Sequence, residues 1–146
     1  MPAQTSLKPV LNAGEVNALL KTVYPQLNEQ FNFFYALEVF PGGCVVRLDA
    51  DERHLRPGGT VSGPSLFTLA DIGGYVCVLS HAGPEALSVT TNLNINFMRK
   101  AGIGPIDGHC RILKLGKSLM VFDVDMVANG ETVAQATGTY SIPPKR

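Results

Sequence analysis

At 146 residues, with hydrophobic content of 45% and charged content of 16%, the chain is sized for one domain with a single sizeable core. Twelve basic residues balance twelve acidic ones, which excludes a strong overall field for nucleic acid or an anionic membrane surface. No charge-free run reaches the roughly 18 residues of a membrane helix, and the start MPAQTSLKPVLNAGE lacks the apolar stretch of a secretory signal, so a cytoplasmic location is expected, with no nucleic acid or membrane partner.

Asn12, with Glu15 three residues on, has the form of a capping box, and Val16, Leu19 and Leu20 follow at helical spacing, so a short amphipathic helix is predicted near 13–23. Pro25 interrupts it. The aromatic cluster Phe31, Phe33, Phe34 and Tyr35 leads into a strand near 34–40, closed by Pro41-Gly42-Gly43, and a second strand near 44–50 completes a hairpin. Arg56-Pro57-Gly58-Gly59 reads as a loop. Ser62 then caps the main helix, near 64–81, with Pro64 in its first turn. Leu66, Phe67, Leu69, Ala70, Ile72, Tyr75, Val76, Val78 and Leu79 make that helix apolar almost all round, so it must be buried on most sides.

After Gly83-Pro84 the period changes from helical to alternating. Leu87, Val89, Thr91, Leu93, Ile95 and Phe97 form one face, the expected core side, and Ser88, Thr90, Asn92, Asn94 and Asn96 the other. Two further strands are separated by Gly116-Lys117, the second with Met120, Phe122, Val124 and Met126 on one face. Asn129-Gly130 supplies a two-residue hairpin turn, and a last strand near 131–142 lines up Ala134, Ala136, Gly138, Tyr140 and Ile142 before Pro143-Pro144 ends it. Two strands, one long buried helix and four strands' worth of alternating sequence make an α+β fold: an antiparallel sheet wrapped around a helix.

Between Arg56 and Glu85 the only formally charged residue, counting histidine as neutral, is Asp71, in the middle of the apolar helix. An unpaired carboxylate taken out of water costs several kcal/mol, so this one must either be partnered or face a polar cleft that makes use of it, as a catalytic base or nucleophile would. A buried Arg or a loop cap would serve as a structural partner. Gly73-Gly74 follows at once, at a cost of about 1 kcal/mol of helix propensity per residue, which fits close approach either of a ligand or of the sheet.

Other chemistries find no support. His54, His81 and His109 are scattered, Cys44, Cys77 and Cys110 lack a CxxC spacing and read as buried free thiols, and no serine elbow or phosphate-binding glycine loop follows a strand. Neither metal nor cofactor is expected.

The segment HLRPGGTVSGPSLFTLADIGG, from His54, resembles the hotdog-fold acyl-CoA thioesterases of the phenylacetate-degradation (PaaI-like) type, whose pattern runs His-x-Asn, a short glycine-containing loop, His-Gly-Gly and a helix with Leu-Ala-Asp two turns in. SVTTNLNINFMRKAG is similar to the family's strand after the helix, and LKLGKSLMVFDVDMVANGETVAQATGTY to its closing strands, so the resemblance covers about residues 30–142. Arg56 stands where the family has the Asn of His-x-Asn, and Ser62-Gly63-Pro64 where it has His-Gly-Gly.

The resemblance implies hydrolysis of an acyl-CoA thioester to free acid and coenzyme A. Asp71 takes the place of the catalytic carboxylate, Gly63 that of the glycine whose backbone N–H polarises the thioester carbonyl, and Thr90 that of an auxiliary hydroxyl. Substrate contacts are expected from His54, Arg56, Ser62, Pro64 and Tyr75, with Arg99 and Lys100 reaching the coenzyme A phosphates. It also implies pairing of two domains through sheet edges into a homodimer, often paired again to a homotetramer. A hotdog protein that binds acyl-CoA or an acyl chain without hydrolysis, and a hotdog hydratase or dehydratase, are the alternatives.

Overall fold

The computed structural model describes residues 6–28 and 33–144. Helix α1 (Ala13–Val23) begins with the anticipated capping box: the Asn12 side chain accepts the Glu15 N–H and the Glu15 carboxylate accepts the Asn12 N–H, at 2.8 and 3.0 Å. Strands β1 (Phe34–Phe40) and β2 (Gly43–Ala50) form the first hairpin. The Arg56–Gly59 loop turns out to join two very short strands, β3 (Leu55–Arg56) and β4 (Thr60–Val61), across a turn with Gly58 and Gly59 at φ of 102° and 82°. Local alternation cannot announce strands of two residues. Helix α2 spans Gly63–His81, and β5 (Val89–Phe97), β6 (Gly104–Leu115), β7 (Leu119–Ala128) and β8 (Glu131–Ser141) follow.

Every pairing is antiparallel, and the six longer strands lie in the order β1-β2-β6-β7-β8-β5. The long helix α2 lies on one face of this curved sheet, which is the hotdog arrangement. The Asn129-Gly130 turn between β7 and β8 has φ of 51° and 77°, the left-handed pair that a two-residue type I′ hairpin requires.

The core fills the space between helix and sheet. Met120, Phe122, Val124 and Met126 of β7, Ala134, Ala136 and Tyr140 of β8, and Ile142 just after it are buried on the helix side as their alternation predicts. Leu69, Ile72, Val76 and Leu79 meet them from α2. Gly73 and Gly74 let the two layers approach: a Cβ on Gly73 would lie 2.4 Å from the Cys110 Sγ, and one on Gly74 2.4 Å from the Phe122 Cζ. Of the two reasons open for these glycines, packing against the sheet is the one with atoms in place.

All three cysteines are free and buried in this layer, with the Sγ atoms of Cys44 and Cys77 3.6 Å apart. His81, expected near the helix C-terminus, is buried there. Its Nε2 accepts the Gly42 N–H at 3.0 Å, so the neutral ring carries its proton on Nδ1, beside the Cys77 carbonyl at 3.2 Å, and the β1–β2 turn is tied to the helix end.

Strand β5 departs from the expected pattern. One extra residue, Thr91, bulges between the pairs Thr90–Tyr140 and Asn92–Thr139. Beyond the bulge Leu93 and Ile95 pack on the core as predicted; before it the phase inverts, so Leu87 and Val89 are 79% and 56% exposed while Ser88 is buried and Thr90 turns toward the helix. A two-residue period assumes uninterrupted pairing, and the extra residue breaks it.

Candidate functional site

Asp71 lies a little over two turns into α2, half-buried, at the floor of an open cleft of about 430 Å³. The end of α1 contributes Val23 and Tyr24 to its walls, α2 contributes Ile72 and Tyr75, the approach to β5 contributes Ala86, Ser88 and Val89, and Thr90 and Tyr140 complete it. The carboxylate is anchored on one oxygen. The Thr90 hydroxyl and the Tyr140 phenol, the latter at 2.9 Å, both donate to Oδ1, and the Tyr140 proton is shared with the Asp71 backbone carbonyl, also at 2.9 Å. Among the described residues no basic side chain contacts Asp71, and Oδ2 accepts no hydrogen bond, so that oxygen keeps its lone pairs for a ligand or for water. Neither the buried Arg nor the loop cap considered from the sequence is its partner.

Three tyrosine rings build one side of the cleft. Tyr75 stacks on Tyr140 at a centroid distance of 6.0 Å and meets Tyr24 edge-on at 6.2 Å, while the Tyr75 hydroxyl donates to the Ala86 carbonyl at 2.7 Å. Burial, and then the Asp71 charge beside it, hold the Tyr140 phenol well above the ordinary tyrosine range, so it remains a hydrogen-bond donor in alkaline solution. Burial likewise raises Tyr75. The Ser88 hydroxyl, buried in the wall, has no hydrogen-bond partner among the described residues.

Gly63 sits at the N-terminal end of the same helix, in a second cleft of about 360 Å³ lined by Arg56, Thr60, Val61, Leu66, Phe97, Met98, Arg99 and Lys100. Ser62 caps the helix as anticipated: its hydroxyl accepts the Ser65 N–H at 3.2 Å, and Pro64 occupies a first-turn position whose N–H would have had no intrahelical partner. The Gly63 N–H has no hydrogen-bond partner among the described residues, and it belongs to the positive end of a 19-residue helix. The Phe97 ring covers this glycine so closely that a Cβ there would lie 3.3 Å from its Cζ.

The predicted residues thus separate into two groups. Asp71, Thr90 and Tyr75 share one cleft; Gly63, Arg56, Arg99 and Lys100 share the other, with Ser62 and Pro64 at the helix start beside it. Arg99 pairs with Glu131 at 3.2 Å, both well exposed, and Lys100 is exposed. His54 lines neither cleft. It is buried, its Nδ1 accepts the Asp51 N–H at 2.9 Å, its ring stands edge-on to Phe33, and its carbonyl accepts the Ser62 N–H at 2.8 Å, which holds the strand leading into α2. Tyr140 and Ser88 belong to the Asp71 cleft and were not singled out as site residues from the sequence. The available signal was a tyrosine on an otherwise Ala, Gly and Ile face of β8, since a buried phenol needs a partner for its hydroxyl.

Asp71 and Gly63 are eight residues apart on one helix, which separates them by about 12 Å at 1.5 Å per residue. One small reacting group cannot touch both within a subunit.

The sequence profile of the thioesterase superfamily matches residues 58–135, a span that contains both clefts' helix and β5. A protein of Pseudomonas aeruginosa named for an inferred esterase activity is 36% identical over 101 residues, covering 68% of this chain and 75% of its own length. The crystal structure of a protein from Silicibacter sp., described as a thioesterase by inference, superposes with a TM-score of 0.84 at 45% identity, covering 94% of this chain and 96% of that one. The phenylacetic acid degradation protein PaaI of Thermus thermophilus shares the fold, with a TM-score of 0.66 at 24% identity over 75% of this chain and 93% of its own. With a carboxylate in a cleft on the central helix and a profile match over more than half its length, this chain belongs to the thioesterase superfamily.

Proposed function

We propose that the chain hydrolyses acyl-CoA thioesters in a homodimer whose sites combine the Gly63 cleft of one subunit with Asp71 of the partner subunit. The observation that carries the proposal is the asymmetric anchoring of Asp71, whose Oδ1 takes two hydroxyl donors while Oδ2 takes none among the described residues. Oδ1 is thereby fixed in place, while Oδ2 is left in the cleft to meet water or a substrate.

The thioester carbonyl oxygen accepts the Gly63 N–H at the positive end of α2, where negative charge developing on that oxygen is stabilised. Asp71 of the partner subunit then takes a proton from water as the water adds to the carbonyl carbon, or adds to that carbon itself and is released by water. Both routes break the C–S bond, deliver the free acid, and return a proton to the departing coenzyme A thiolate. The basic rim of the Gly63 cleft, with Arg56, Arg99 and Lys100, suits the phosphates of coenzyme A.

The 12 Å separation of the two groups is the reason for a dimer. Strand β5 is an open edge of the sheet, adjoins both clefts through Thr90 and Phe97, and leaves Val89, Phe97 and Met98 exposed, which suits edge-to-edge pairing of two copies. Pairing of such dimers to a tetramer is part of the same proposal.

The test is release of free thiol from short, medium and aryl acyl-CoAs, with mass determined by light scattering. Asp71→Asn is expected to lower kcat by about 100-fold or more, as removal of a general base or nucleophile does. Unchanged turnover in that variant would remove Asp71 from the chemistry, and a fully active monomer would remove the composite site.

A further inference from the structure

We infer that Tyr140 is a positioning residue for the reaction: its phenol, with the Thr90 hydroxyl, fixes Oδ1 of Asp71 and so decides that Oδ2 is the oxygen that reacts. The inference rests on the reading of Asp71 as the reacting carboxylate and adds to it the device that orients it.

A carboxylate attached to a helix turns about its last side-chain torsion with a broad, two-fold preference, so left alone Asp71 would offer either oxygen. Two donors on one oxygen remove that freedom. The Tyr140 hydroxyl lies 2.9 Å from Oδ1 and 2.9 Å from the carbonyl oxygen of the same residue, so a single phenolic proton bridges the side chain of Asp71 to its own backbone. The Thr90 hydroxyl reaches Oδ1 from the neighbouring strand.

The phenol itself is held from several directions. It is 3% exposed, stacked on Tyr75 and tilted against Phe122 at 6.0 Å. A Cβ on Gly74 would lie 2.8 Å from the Tyr140 Cε1, so the ring is seated directly against the helix that carries Asp71. A donor on so rigid a mount transmits the placement of β8 to the carboxylate. The alternative, that Tyr140 merely satisfies its own hydroxyl, needs only the backbone carbonyl of Asp71 and has no use for Oδ1.

Tyr140→Phe removes the hydroxyl and keeps the ring. It is expected to lower kcat by about 10- to 100-fold, in the range that a misplacement of about 1 Å can cost, with KM changed by less than about two-fold. Because Tyr140 acts through Asp71, adding Tyr140→Phe to Asp71→Asn is expected to cause no further loss of the residual rate, an outcome a merely structural role would not give.

A kcat for Tyr140→Phe within two-fold of the unmodified enzyme, or a further loss of the residual rate when Tyr140→Phe is added to Asp71→Asn, overturns the inference. If either occurs while Asp71→Asn is inactive, Asp71 keeps its role and only the orienting device is lost. Retained turnover in Asp71→Asn instead removes the reading on which the inference stands.

Discussion

Gly74→Ala tests the closeness of helix and sheet. On an exposed helix this change is stabilising by about 1 kcal/mol, because alanine is the better helix former and gives up less backbone freedom on folding. Here the added methyl would lie 2.4 and 2.6 Å from Cζ and Cε1 of Phe122 and 2.8 Å from Cε1 of Tyr140. Phe122 is fully buried and Tyr140 nearly so, so neither ring has free space to move into. Forcing a methyl into such a core costs about 1–3 kcal/mol and, with contacts this short, belongs at the upper end, so the net change is a destabilisation of about 1–2 kcal/mol. For a chain of this size that is a fall in Tm of roughly 3–6 °C, measurable by circular dichroism or calorimetry. The displaced ring is also the one that holds Asp71, so activity measured well below Tm should fall with it. A Tm equal to or above that of the unmodified chain would show that the two layers can part without cost, and would refute the packing account of Gly73-Gly74.

Two further expectations concern charge. Arg111 donates to both oxygens of the buried Asp123, at 3.0 and 2.6 Å, so Arg111→Ala leaves an uncompensated carboxylate and should destabilise by up to about 3 kcal/mol, with chemical denaturation as the check; an effect below about 0.5 kcal/mol would contradict the dependence of Asp123 on that partner. The folded state raises the Tyr140 pKa, so the stability it carries is fully present below the ordinary tyrosine value of about 10 and is lost as pH rises beyond it, because the unfolded chain ionises first. Alkaline unfolding above about pH 10 should therefore be less pronounced in Tyr140→Phe, and an identical pH dependence in the two proteins would count against that link.

Much of the architecture is legible locally. The capping box of Asn12, the apolar girth of α2 and the Asn129-Gly130 turn each depend on residues a few positions apart, and each stands where the spacing places it. Asp71 was visible because a lone charge in an apolar helix has a cost that demands an explanation. What escaped depends on pairing between distant strands. Tyr140 is 69 residues from the carboxylate it holds, and only the closing of β8 beside β5 brings it there. Thr90 came from the family resemblance, while the alternation of its own strand put it on the opposite face from Leu93 and Ile95. His54, expected at the substrate, instead supports the loop before α2 through Asp51 and Ser62, and no local pattern distinguishes those two uses of a histidine.

The bulge at Thr91 bears on how this strand tolerates change. Its two halves are out of step by one residue, the first presenting hydroxyls toward the helix and the second presenting hydrocarbon. Deleting any one residue at that point would bring the halves into step, and the strand would then have to surrender either the greasy contacts of Leu93 and Ile95 or the hydroxyl on Asp71. The surplus amino acid is what lets one continuous strand be a wall of the interior at one end and part of the Asp71 cleft at the other.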